Sequence, residues 1–120
     1  MTVKTFEVLN DYENPEPPIE LYVGDSVQLG EESGADDIYP NWVFATSDKT
    51  GRKAWIPKHI LSLEKGKAVS MENYTSKELP VKKGERVMAF YELNGWYWCI
   101  REKGGERGWV AHDNVKNLGY

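Results

Sequence analysis

Apolar and polar residues alternate along most of this chain in short runs broken by turn residues. A period of two is the signature of half-buried β-strands. It predicts strands over Thr5–Asn10, Ser26–Gly30, Asn41–Thr46 and Arg52–Ile56, and again over Lys67–Met71, Arg86–Tyr91, Trp96–Arg101 and Glu106–Val110. A short closing strand follows each set, at Leu61–Leu63 and Val115–Leu118. Lys49-Thr50-Gly51, Asn94-Gly95 and Lys103-Gly104-Gly105 supply the turns. Asn-Gly favours a tight hairpin because both central residues take positive φ. No helical pattern exceeds one turn.

The two sets of strands are copies of one unit. Trp42 and Trp55 are 13 residues apart, and so are Trp96 and Trp109, displaced by 54. Glu20-Leu21 returns as Glu78-Leu79, Gly24-Asp25 as Gly84-Glu85, and Asp11-Tyr12 as Asn73-Tyr74. The order is kept while loop lengths vary. A fixed order of short strands seen twice signals an internal repeat. The boundary falls near Glu64-Lys65-Gly66, giving domains 1–64 and 65–120. Five short strands in each suggest small barrels, which leave no free sheet edge. A domain of this size buries only about 60% of its unfolded surface. The two are therefore expected to pack together, with Phe44 and Trp98 as the aromatics available to bury between them. The fold class expected is all-β, with two small five-stranded barrels in tandem.

Composition narrows the function. Five Trp, seven Tyr and three Phe in 120 residues are suited to binding surfaces. A hydrophobic share of 40% fits a folded chain. The single cysteine, Cys99, excludes an intrachain disulfide, and one Cys with two His argues against structural zinc. No cofactor is called for. No apolar run approaches the ~20 residues needed to span a bilayer. The N-terminal residues lack the apolar stretch of a secretory signal, which favours the cytoplasm. Cys99 occupies the slot that Ala45 fills in the first copy, where a small thiol is expected to be packed rather than reactive, and His59 and His112 have no orienting acid motif beside them. The expectation is therefore a non-enzymatic protein. The net charge is −4, but it is unevenly spread. Residues 1–64 hold 5 Lys/Arg and 12 Asp/Glu, and residues 65–120 hold 10 and 7. Such asymmetry points to mutual docking or to two different partners.

The ordered motifs resemble tandem Src-homology-3-like domains of the variant, bacterial kind. The first copy reads Val8-Leu9-Asn10-Asp11-Tyr12, Glu20-Leu21, Gly24-Asp25, Trp42-Val43-Phe44-Ala45, then Ala54-Trp55-Ile56-Pro57-Lys58-His59-Ile60-Leu61. The second reads Ser70-Met71-Glu72-Asn73-Tyr74, Glu78-Leu79, Gly84-Glu85, Trp96-Tyr97-Trp98-Cys99, then Gly108-Trp109-Val110-Ala111-His112-Asp113-Asn114-Val115. The resemblance implies an aromatic groove that cradles an extended peptide. Carried over residue by residue, the first groove keeps Tyr12, Trp42 and Pro57, with Asn10 and Ile60 where tyrosines are usual. The second keeps Tyr74 and Trp96, with Glu72, Ala111 and Asn114 replacing a tyrosine, the proline and a tyrosine. Glu13, Glu16 and Glu20 stand where the family holds a ligand's basic residue.

These residues lead to a module that binds a protein or peptide segment, basic or proline-containing, with the first barrel as the better binder. Two other readings use the same aromatics. Arg86, Arg101, Lys103 and Arg107 beside Trp96, Tyr97 and Trp98 mix charge and stacking surface as single-strand nucleic-acid sites do, although the acidic chain argues against it. An aromatic cage for a methylated amine is the other. A cell-wall peptide ligand would require an export signal. Pro15-Glu16-Pro17-Pro18 reads as a stiffened loop.

Overall fold

The computed structural model describes residues 3–34, 36–64 and 67–118. Twelve strands are formed among them: β1 (Lys4–Val8), β2 (Glu20–Leu21), β3 (Ser26–Glu32), β4 (Trp42–Ser47), β5 (Lys53–Pro57), β6 (Leu61–Glu64), β7 (Lys67–Ser70), β8 (Tyr74–Thr75), β9 (Arg86–Leu93), β10 (Trp96–Arg101), β11 (Arg107–Ala111) and β12 (Val115–Asn117). Single turns of 3-10 helix at Lys58–Ile60 and His112–Asn114 precede β6 and β12. The chain is all-β, and no described helix is long and apolar enough to cross a membrane.

The strands divide the chain in a way the repeat does not suggest. Met1–Glu16 and Lys77–Tyr120 form one compact unit, here the split unit, and Pro17–Ser76 form the other, the inserted unit. The division expected from the repeat, 1–64 and 65–120, is a different one. In the split unit the sheet order is β11-β10-β9-β1-β12, and in the inserted unit it is β5-β4-β3-β7-β6, beside a two-stranded β2-β8 ribbon. The opening strands of the two repeats have changed places. β1, from the first repeat, pairs with β9 and β12 of the second. β7, from the second, pairs with β3 and β6 of the first.

The cause is the length of one connection. Only two residues, Lys65 and Gly66, separate β6 from β7. The joint expected there lies outside the described residues. The strands it links pair in antiparallel register from Glu64↔Lys67 to Leu61↔Ser70. Antiparallel strands can be joined by two residues, whereas a link that short cannot carry a strand into a separate domain. β7 therefore takes the place beside β6, and β1 is left to fill the equivalent place between β9 and β12.

Each core records the exchange. Phe6 and Val8 of β1 are buried with Leu79, Val81, Val87, Ala89, Cys99 and Val110. The Phe6 ring lies 4.8 Å from that of Tyr97. Ala68 of β7 is buried with Ile19, Leu21, Val27, Val43, Ala45, Ile56 and Ile60. The sheets are open rather than closed into the barrels expected. Their outermost strands, β11 and β12 in one and β5 and β6 in the other, do not pair with each other in the strand order. Phe44 and Trp98 each have an aromatic partner within their own unit. Phe44 lies opposite Trp55 across the β4–β5 hairpin, with ring centroids 5.5 Å apart. Trp98 lies opposite Trp109, at 5.2 Å, and Tyr91 adds a third ring 5.7 Å from Trp109. Such edge-to-face pairs suit the ring quadrupoles.

Candidate functional site

The exchange regroups the residues singled out from the sequence. Tyr12, Glu13, Glu16 and Trp96 belong to the split unit, and Glu20, Trp42, Pro57 and Tyr74 to the inserted unit. The shelf expected from Tyr12, Trp42 and Pro57 is therefore not assembled in one unit. Trp42 is only 5% exposed and Pro57, opposite it, is fully buried. The Trp42 backbone N–H donates to Ser33 Oγ at 2.9 Å. These two residues are packed rather than presented. Tyr74 pairs with Leu21 in the β2-β8 ribbon and is half-buried.

A set of polar and aromatic groups is instead held in the split unit. Tyr12 is fixed by reciprocal backbone bonds with Val81, at 2.8 and 2.9 Å. The residue as a whole is 44% exposed. Its phenol donates to Glu78 Oε1 at 2.7 Å, and Asn14 Nδ2 donates to Glu78 Oε2. Glu78 is itself placed by a backbone bridge to Trp109, flanked by Trp109 N–H to Lys77 O at 2.9 Å and Leu79 N–H to Trp109 O at 3.0 Å. The carboxylate is thus held at both oxygens beside an exposed tyrosine.

Asn10 and Asn114 extend this set. Asn114 Oδ1 accepts from Asn10 N–H at 3.0 Å and from Asn10 Nδ2 at 3.3 Å, and Asn114 Nδ2 donates to Asn10 O at 3.0 Å. In the repeats these asparagines stand in different copies. The exchange brings them together, so two of the four tyrosine replacements, one from each copy, fall at one place and satisfy each other. Asn114 ends the 3-10 turn that follows Ala111, and Ala111 pairs with Trp96 at the start of β10. Trp96 follows the Asn94-Gly95 turn, whose φ values of 46° and 95° are both positive as the dipeptide requires. The sequence reading missed Glu78 and Asn14. Glu78 occupies the repeat position of Glu20, so the same comparison could have found it.

The charge picture changes too. The split unit holds nine Lys/Arg and ten Asp/Glu, and the inserted unit six and nine. The acidic Glu13 and Glu16 loop joins the basic second repeat and largely cancels its charge. The basic surface on which nucleic-acid binding relied is therefore offset within its own unit. Arg101, one of its residues, is engaged internally. Its Nη1 reaches Glu85 Oε1 at 2.7 Å, Nη2 donates to Pro80 O at 2.6 Å, and Nε lies 3.3 Å from Glu106. Cys99 is buried, which pushes its thiol up to about 12.

Residues 67–118 match the model of the variant SH3 domain. Domains of this SH3-like kind commonly mediate protein binding. The matched segment opens with β7 and β8, which lie in the inserted unit, and continues through the strands of the split unit. No curated protein and no solved structure matched the chain.

Proposed function

We propose that this chain is a non-enzymatic binding module that recognises a short protein segment, and that the split unit carries the site. The observation behind this reading is the Tyr12–Glu78–Asn14 network, which fixes a carboxylate beside an exposed tyrosine in the unit that also holds Trp96. A preset ring and acceptor lower the ordering cost of binding. Glu13 and Glu16 lie in the same loop as Tyr12 and are exposed, which favours a basic ligand. The variant SH3 match over residues 67–118 supports a binding role.

Titration of the 15N-labelled protein with a pool of lysine- and arginine-containing peptides tests this. Shift changes are expected at Tyr12, Glu78 and Trp96, and they should weaken with added salt as the charges are screened. Trp96→Ala should cost about 2 kcal/mol of binding if this ring is a central contact. Responses confined to Tyr74 and Trp42 would overturn the placement.

A further inference from the structure

We propose a second, separate site on the inserted unit: the open edge of β3, which accepts an extended peptide segment with alternating apolar and basic residues. β3 runs from Ser26 to Glu32, pairing with β4 in regular register through Leu29↔Ala45 and, after a bulge at Gly30-Glu31, again at Glu32↔Val43. On its other side it pairs with β7 only at Ser26↔Val69 and Val27↔Ala68. From Gln28 onward that edge has no strand partner among the described residues. An unpaired edge carries free N–H and C=O groups and is a template for strand addition.

A groove of about 460 Å³ lies where β3 and the β6–β7 hairpin part. Ser26, Gln28, Leu29, Asp48, Leu63 and Lys67 line it. Leu29 is 50% exposed and Leu63 77%. By the period of two, Leu29 lies on the same face as buried Val27, so the apolar face of the sheet continues beyond its covered core. Ser26 and Gln28 lie on the opposite face. There Ser26 Oγ donates to Asp48 Oδ2 at 2.6 Å and Gln28 Nε2 donates to Asp48 Oδ1 at 3.2 Å. These bonds orient the carboxylate and hold its pKa below the usual value. Glu31 and Glu32 lie further along the same strand, and Glu32 is paired with Lys58.

The two faces define the occupant. A strand laid along the edge in line with β7 turns alternate side chains to Leu29 and Leu63, and the others to Asp48. Apolar residues suit the first set and Lys or Arg the second. Lys67 stands at the rim among a surplus of carboxylates, since the inserted unit holds six basic and nine acidic residues. The site shares no residue with the Tyr12–Glu78 network.

The test uses the 15N-labelled full chain and the capped peptide acetyl-Lys-Val-Lys-Leu-Lys-amide. Shift changes are expected at Gln28, Leu29, Gly30, Glu31 and Leu63, with slowed amide exchange along β3. The same peptide N-methylated at alternate residues should not bind, because strand addition needs its N–H groups. Asp48→Asn should weaken the unmethylated peptide about two- to five-fold, as for an exposed ion pair. Trp96→Ala should leave this binding unchanged while impairing the site in the split unit. Equal binding by the N-methylated peptide, equal binding by acetyl-Glu-Val-Glu-Leu-Glu-amide, shifts confined to Tyr12 and Trp96, or no response at β3 would each overturn the proposal.

Discussion

Val8→Ala separates the exchanged arrangement from a colinear pair of domains. Val8 is fully buried in β1, in contact with the cluster of Leu79, Val87, Cys99 and Val110. The substitution removes two methyl groups. At about 0.8 kcal/mol for each buried carbon the transfer loss is about 1.6 kcal/mol. The small cavity left behind brings the total to about 2 kcal/mol. That corresponds to a change of about 30-fold in the opening equilibrium. Methyl and amide shifts report the neighbourhood, and native-state hydrogen exchange reports the loss of protection. Both should change at Val87, Ala89, Cys99 and Val110. Shift changes at Val27, Val43, Ala45 and Ile56, with those four residues undisturbed, would refute the exchange. Ala68→Gly in β7 is the mirror experiment, and its shift changes should fall on the second group of residues.

Three further outcomes are expected. A Cβ at Gly108 would lie 2.6 Å from Leu79 N and 2.9 Å from its Cα, both backbone atoms, so Gly108→Ala should lower the stability read from urea unfolding by about 1–3 kcal/mol. The Glu85 carboxyl accepts Lys82 N–H at 2.7 Å and Arg101 Nη1 at 2.7 Å, which holds its pKa down despite partial burial. Its charged form is the one the fold favours, so its contribution is present above the usual carboxylate range and is lost as pH falls through the lowered value. Glu85→Gln should therefore flatten the acid side of the melting-temperature profile. Cys99, with its thiol pushed up to about 12 by burial, should resist a disulfide-exchange reagent at neutral pH until urea unfolds the chain.

The strands were legible because each depends on local pattern and turn chemistry. Trp96–Arg101 has the bounds expected, and most others differ by one or two residues at the ends. Gly51, Asn94, Gly95, Gly104 and Gly105 take the positive φ that their turns imply. The two-residue strands β2 and β8 were not foreseen, being too short to show a period. The exchange was not legible for a different reason. Alternation tells which side of a strand is buried, not which strand lies beside it. Phe6-Glu7-Val8 and Ala68-Val69-Ser70 both suit the slot between a third and a last strand. The signal that distinguished them was the two-residue link after Glu64, which was read as a joint between domains. Trp42 shows the parallel limit for the site. Its repeat position suggested a presented ring, but exposure depends on contacts that position alone does not specify.

The pairing of β1 with β12 has a mechanical consequence. Phe6 lies opposite Asn117 in an antiparallel register, so the first and last strands lead outward from the same end of one sheet. Tension applied at the two ends of the chain would peel β1 from β12 one pair at a time. It would reach Pro17–Ser76 only after the split unit had yielded, because that segment lies inside the loop the two strands close. The inserted unit also has its own clasp where the chain enters and leaves. Ile19 N–H donates to Ser76 Oγ at 2.8 Å, and Ser76 N–H donates to Ile19 O at 3.0 Å. A pulled molecule should therefore extend in two ordered steps, the split unit first and the inserted unit second, although the gene order of the repeats would suggest two equal links in series.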